Sequence, residues 1–170
     1  AYLLRARRKR TMSVAAASDA LKPYLTAFAP ERSAEPFLVH WSVAKDKSLK
    51  SKAYTRGEFY ALATRAASVL VKHGLGPGDC HTHFFSCNTV GDLAFRLASV
   101  MIGTTPVTIN WQADLPERVV YKVELTSSKL VLVDDETDEN GLSMLRKEKP
   151  GVPLFNVSAL DQAEIISLTE

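Results

Sequence analysis

Apolar residues recur at spacings of three and four from Phe59 through Leu62, Ala63, Ala66 and Val69 to Leu70, which predicts one buried stripe on a helix. Thr55-x-x-Glu58 immediately before it is a capping box that starts this helix at Arg56, and Gly74 stops it as a left-handed cap. Pro77-Gly78 then turns the chain into a strand over about residues 80–86. The same grammar repeats. Asp92 to Ile102 reads as a helix with Leu93, Ala94, Leu97 and Met101 inward, ended by Gly103, and Pro106–Ile109 reads as a strand. Asp114 and Pro116 open a third helix carrying Val119, Val120, Val123 and Leu125. Lys129–Val133 is an apolar run of the kind that fills a buried parallel strand. An acidic turn from Asp134 to Glu139 leads to a short helix around Leu142–Lys147, and Val152–Val157 is a last strand.

The flanks are less regular. Residues 13–28 are helix-prone, with Val14, Leu21, Leu25 and Phe28 near one face and Pro23 expected to kink or restart the helix. Pro30 and Pro36 frame a polar linker, Phe37–Trp41 reads as a strand, and Lys45–Lys52 as a basic, solvated, hairpin-like loop. Ser158-x-x-Asp161 is expected to cap a final helix. Strand–helix alternation at this spacing predicts an α/β fold, a mostly parallel sheet with helices on both faces. The chain divides into a basic, helix-prone extension and linker (1–35), an α/β subdomain (36–158) and a terminal helix (159–170).

Composition supports a globular chain. Of 170 residues, 46% are hydrophobic and 24% charged, which sets aside disorder and collagen. No apolar run reaches the ~20 residues of a membrane-spanning helix. Two cysteines are too few for a disulfide framework and fit a reducing compartment. The net charge of +2 conceals Arg5, Arg7, Arg8, Lys9 and Arg10, five positive charges ahead of the first acid at Asp19. This block reads as a targeting remnant, a solvated tail, or a contact with an anionic surface. An intracellular and organellar location, mitochondrion or plastid, fits it. Nucleic acid is disfavoured, because the basic residues are terminal and have only Tyr2 beside them.

Candidate chemistry is sparse. Gly74-Leu75-Gly76-Pro77-Gly78 follows a helix and precedes a strand, the reverse of a dinucleotide-binding loop, so it reads as cap plus turn. Gly103-Thr104-Thr105-Pro106 lacks the Lys of a phosphate loop. Cys80, His81, His83 and Cys87 carry zinc-type donors. On a straight strand, however, His81 and His83 share one face and Cys80 takes the other, so a packed or polar strand face is the expectation. Two histidines on one face also suggest a partner contact that titrates near pH 6–7. No nucleophile–base pair is legible, and no catalytic, cofactor-binding or metal residue is assigned.

The ordered set of elements from Phe37 to Val157 resembles the N-terminal part of the adenylate-forming, AMP-binding superfamily. That superfamily includes acyl-CoA synthetases, aryl-CoA ligases and peptide-synthetase adenylation domains. The resemblance rests on Tyr54-Thr55-Arg56-Gly57-Glu58-Phe59, Leu75-Gly76-Pro77-Gly78-Asp79, the strand-end Asn88, Leu97 to Asn110 with its helix, small turn and strand, Leu115–Tyr121, and Ser128–Asp134. It implies a reaction that makes an acyl-adenylate from ATP and a carboxylate and then passes the acyl group to a thiol. ATP, Mg²⁺ and CoA are the implied ligands of a full-length family enzyme. Its phosphate loop, adenine stretch, ribose-binding Asp, hinge and mobile Lys all fall downstream of the matched region, so no catalytic residue carries over and no cofactor is expected in this chain. Cys80-His81-Thr82-His83 departs from the family's apolar strand and puts its ordinary burial in question. Two functions emerge as expectations. One is an N-terminal fragment of an acyl-CoA-synthetase-like ligase, inactive alone. The other is a catalytically dead, stand-alone structural or interaction subunit. In both, a truncated parallel sheet is expected to leave an open edge and an uncovered apolar face that dock on the missing C-terminal part or on a protein partner.

Overall fold

A computed structural model describes residues 14–44 and 46–166. The basic block Arg5–Arg10 lies outside them. Among the described residues, eleven helices and strands run in order: α1 (Val14–Ala27), β1 (Pro36–Val43), β2 (Leu49–Thr55), α2 (Arg56–Lys72), β3 (Cys80–Phe84), α3 (Val90–Ile102), β4 (Thr105–Thr108), α4 (Pro116–Leu125), β5 (Val131–Val133), α5 (Glu139–Glu148) and β6 (Leu154–Asn156).

β3, β4, β5 and β6 form a wholly parallel sheet in the order β4-β3-β5-β6. The chain leaves β3 for β4 on one side and then crosses back over it to β5 and β6. The direction of winding therefore reverses between β3 and β5, and their carboxyl ends border the switch point of the sheet. α2, α3 and a 3-10 turn at Val157–Gln162 cover one face, around Leu70, Phe95, Leu130, Leu132 and Leu160. α4 and α5 cover the other, around Phe84, Val119, Val123, Val131 and Leu145. The α/β expectation, with helices on both faces, holds.

Local rules account for the joints. Thr55 Oγ1 accepts the Glu58 amide at 3.2 Å while Glu58 Oε2 accepts the Thr55 amide at 2.8 Å, so two orphan donors of α2 are satisfied reciprocally. Gly74 (φ 73°) and Gly103 (φ 76°) hold left-handed conformations that a side chain would strain. A Cβ on Gly103 would also lie 3.4 Å from Pro77.

The structure corrects several expectations. α1 runs through Pro23 without a break. The Lys45–Lys52 segment is not all loop, because Leu49–Thr55 is a strand paired antiparallel with β1, apart from the parallel sheet. α3 starts at Val90, earlier than Asp92, because Thr89 caps it through the Gly91 amide. That start leaves Val90, Ala94, Leu97 and Ala98 inward and Leu93 exposed. Leu25 and Leu125 are exposed as well. The element after β6 is the 3-10 turn, capped by Asn156 rather than Ser158, and residues 163–166 form no helix. Both faces of the parallel sheet are covered. A run of open apolar side chains lies instead on one side of the hairpin, where Val39, Trp41, Val43 and Leu49 are each more than half exposed.

The hairpin is tied to the body by side-chain packing, in which Leu38 and Tyr54 also take part, and by hydrogen bonding. Phe28 and Phe37 pack on Phe59 of α2 with ring centroids 6.0 and 4.8 Å away. His40 Nε2 meets the Asn88 carbonyl beyond β3 at 3.0 Å.

Candidate functional site

β3 is the centre of the sheet, so both its faces must be filled. Its register places Thr82 and Phe84 toward α4 and α5, and His81, His83 and Phe85 toward α3. His81 and His83 are 0% and 1% exposed. The expectation of a solvent-facing pair for a partner is therefore overturned: the strand is buried in the ordinary way, and its polar groups are satisfied internally. Thr82 Oγ1 donates to Ser128 Oγ at 2.8 Å. On the other face runs a continuous row. Asp92 Oδ1 lies 2.5 Å from His83 Nδ1, His83 Nε2 lies 3.1 Å from His81 Nδ1, and His81 Nε2 lies 2.9 Å from Ser99 Oγ. Ser99 Oγ in turn sits 2.7 Å from the Phe95 carbonyl. α3 supplies both ends of the row because Asp92 and Ser99 are seven residues apart, two turns along one helix face.

Burial, then the charges of His83 and Arg96, push His81 down to about 3. His83 is also held below the ordinary imidazole range, because burial outweighs the pull of Asp92. Burial raises Asp92, but its bonds to His83 and Arg96 bring it below the usual carboxylate range. Arg96 Nε donates to Asp92 at 2.9 Å and its Nη2 to Thr108 Oγ1 on β4 at 3.1 Å.

This ion pair forms one wall of a cavity of about 340 Å³ at the carboxyl ends of β3 and β4. Phe85 and Ile109 add apolar surface, His83 borders the cavity from β3, and Cys87, Asn88, Thr89, Thr108 and Trp111 line the remainder. The neighbouring switch-point crevice, between β3 and β5, is filled by the protein itself. Asp134 Oδ2 accepts the Ser86 and Cys87 amides at 2.9 and 3.1 Å. Its Oδ1 accepts the Glu136 amide at 3.0 Å and the Thr137 hydroxyl at 2.8 Å. Cys87 Sγ donates to the same carboxylate at 3.3 Å, and desolvation of the sulfur followed by that carboxylate pushes the thiol up to about 12. A nucleotide phosphate needs free N–H donors at such a loop. Here the donors already face a carboxylate, with Asp135 and Glu136 beside it, so these residues do not fit a phosphate group.

Cys80, His81, His83 and Cys87 do not converge. Cys80 faces away from the histidines, Cys87 turns to Asp134, and both nitrogens of each imidazole are engaged in the row. Among the described residues no group of three or more His, Cys, Asp or Glu could hold a metal ion, and no helix is long and apolar enough to cross a membrane. Sequence reasoning missed Asp92 and Ser99 as partners of β3, and Arg96 as the partner of Asp92. The only signal for any of them was the i,i+4 spacing of Asp92 and Arg96.

The sequence profile of a family described as AMP-binding enzyme matches residues 30–167. No curated protein matches the chain at a comparable level. Among solved structures, a benzoate CoA ligase from Burkholderia xenovorans LB400 is 18% identical with a TM-score of 0.66, over 86% of this chain and 29% of that one. O-succinylbenzoate coenzyme A synthetase from Bacillus subtilis, in complex with ATP and magnesium ion, is 17% identical with a TM-score of 0.67, over 86% and 36%. The N-terminal domain of FACL13 from Mycobacterium tuberculosis is 19% identical with a TM-score of 0.59, over 70% and 32%. The chain thus spans about a third of the length of the structures it resembles.

Proposed function

Since the chain belongs to the AMP-binding enzyme family, we propose that it is the N-terminal segment of an ATP-dependent acid–thiol ligase and supplies scaffold rather than chemistry. The observation that carries this reading is coverage. The family match runs through most of the chain, while the chain accounts for only 29% to 36% of three solved relatives. The plugged crevice between β3 and β5 supports it, because the loop amides best placed for an anion are bonded to Asp134. ATP, Mg²⁺ and the thiol acceptor are then held by elements that these residues do not provide, and the sheet positions those elements.

ATP–pyrophosphate exchange tests the reading. The purified 170-residue chain is expected to give no exchange above background with any carboxylate, while the native protein exchanges. Exchange by the chain alone overturns it. A native mass near 18.7 kDa, with no exchange by the native protein, replaces it with the stand-alone, catalytically dead subunit.

A further inference from the structure

We propose that the Asp92–His83–His81–Ser99 row is an acid-sensitive latch that fastens α3 to β3. The row has three links, and proton inventory decides what it can hold. Arg96 keeps Asp92 ionised and acceptor-only. With both imidazoles neutral, His83 Nδ1–H donates to Asp92, His83 Nε2 accepts from His81 Nδ1–H, and His81 Nε2 accepts the Ser99 hydroxyl proton. One extra proton is accommodated by reversal. His83 then carries two protons and donates through Nε2 to His81 Nδ1, His81 donates through Nε2 to Ser99 Oγ, and Ser99 donates to the Phe95 carbonyl. A second extra proton has no place. It would set two N–H groups of two cations against each other across the 3.1 Å His83–His81 contact, between side chains that are 0% and 1% exposed.

The surroundings offer no relief. The charged groups facing the pair are Asp92 and Arg96, both on α3. β4 brings only the Thr108 hydroxyl, and that is on Arg96. The rings of Phe85 and Phe95 lie 5.3 and 6.4 Å from that of His83, and the apolar cluster on this face of the sheet is made of Leu130 just before β5, Leu132 of β5, Ala66, Ala67 and Leu70 of α2, and Phe155 of β6. The released state has no such restriction, and there each histidine takes up its proton near the ordinary value of about 6.5. Because folding depresses the histidines, the stability they contribute is complete above that value and is lost as the pH falls. His81 alone shifts the closed-to-open ratio by up to about tenfold per pH unit below 6.5, and His83 adds to this.

Hydrogen–deuterium exchange on the native protein, corrected for the intrinsic pH dependence of amide exchange, reads the latch directly. Exchange over Val90–Ile102 is expected to accelerate about tenfold or more between pH 6.5 and 5, with α4 and α5 on the opposite face as internal controls. The double substitution His81→Leu/His83→Leu is expected to abolish that acceleration. Equal behaviour of α3 and the controls in the wild-type protein overturns the proposal, as does an undiminished acid response in the double variant. If the variant does not fold, the wild-type contrast decides by itself.

Discussion

β3 and β5 lie side by side at the centre of one sheet and are buried to the same degree, yet by different chemistry. β5 fills its place with Val131, Leu132 and Val133, each at most 6% exposed. β3 does so with His81, Thr82 and His83, none above 1%. An apolar strand needs only shape to be buried, and its contribution changes little with pH. A polar strand needs every donor and acceptor matched, and the match makes it responsive to protons. Burial alone therefore says little about how a strand is held. What distinguishes the two is which change of residue, or of medium, loosens them.

Three substitutions sharpen this contrast, in falling order of effect. Leu132→Ala deletes apolar contacts at 0% exposure and is expected to cost about 3 kcal/mol of stability. The loss should be the same at pH 7.5 and pH 5.5 by urea denaturation, and a pH-dependent loss would erase the distinction drawn for β5. Asp92→Ala leaves His83 Nδ1 without its acceptor and Arg96 without its ion partner, for about 2 kcal/mol at pH 7.5. The wild-type advantage should grow between pH 7.5 and pH 5.5, because Asp92 favours the protonated form of His83 and its loss depresses that histidine further. Thr82→Val keeps the shape on the opposite face of β3 and removes one hydroxyl. Because Ser128 Oγ retains Thr126 Oγ1 at 2.8 Å, the expected loss in the same assay is about 1 kcal/mol or less.

Much of the fold was legible because its signals are local. The capping box at Thr55–Glu58, the stop glycines 74 and 103, the stripe of α2 and the apolar run of β5 each act within a few residues. β2 was not legible, because Lys50 and Lys52 lie on a strand in an exposed ribbon, where the partner strand and not burial specifies the conformation. The burial of β3 was hidden for another reason. A periodicity reading scores His and Thr as polar, and what makes them fit an interior, Asp92 and Ser99 on α3 and Ser128 before β5, is brought there only by packing. The row of side chains was half visible, as two histidines on one face. Its ends were not.

The carboxylate of Asp134 has a consequence for ligands as well as for the loop it holds. It is attached to the same chain as the Ser86 and Cys87 amides it occupies, so it meets them at an effective concentration on the order of millimolar or higher whatever the solution contains. A free anion approaching that crevice is a bimolecular competitor against an intramolecular one, and it brings charge of the same sign. The carboxyl end of β3 and β5 is in this sense inhibited from within. Only a change that withdraws Asp134, or neutralises it, would open those two amides to another partner.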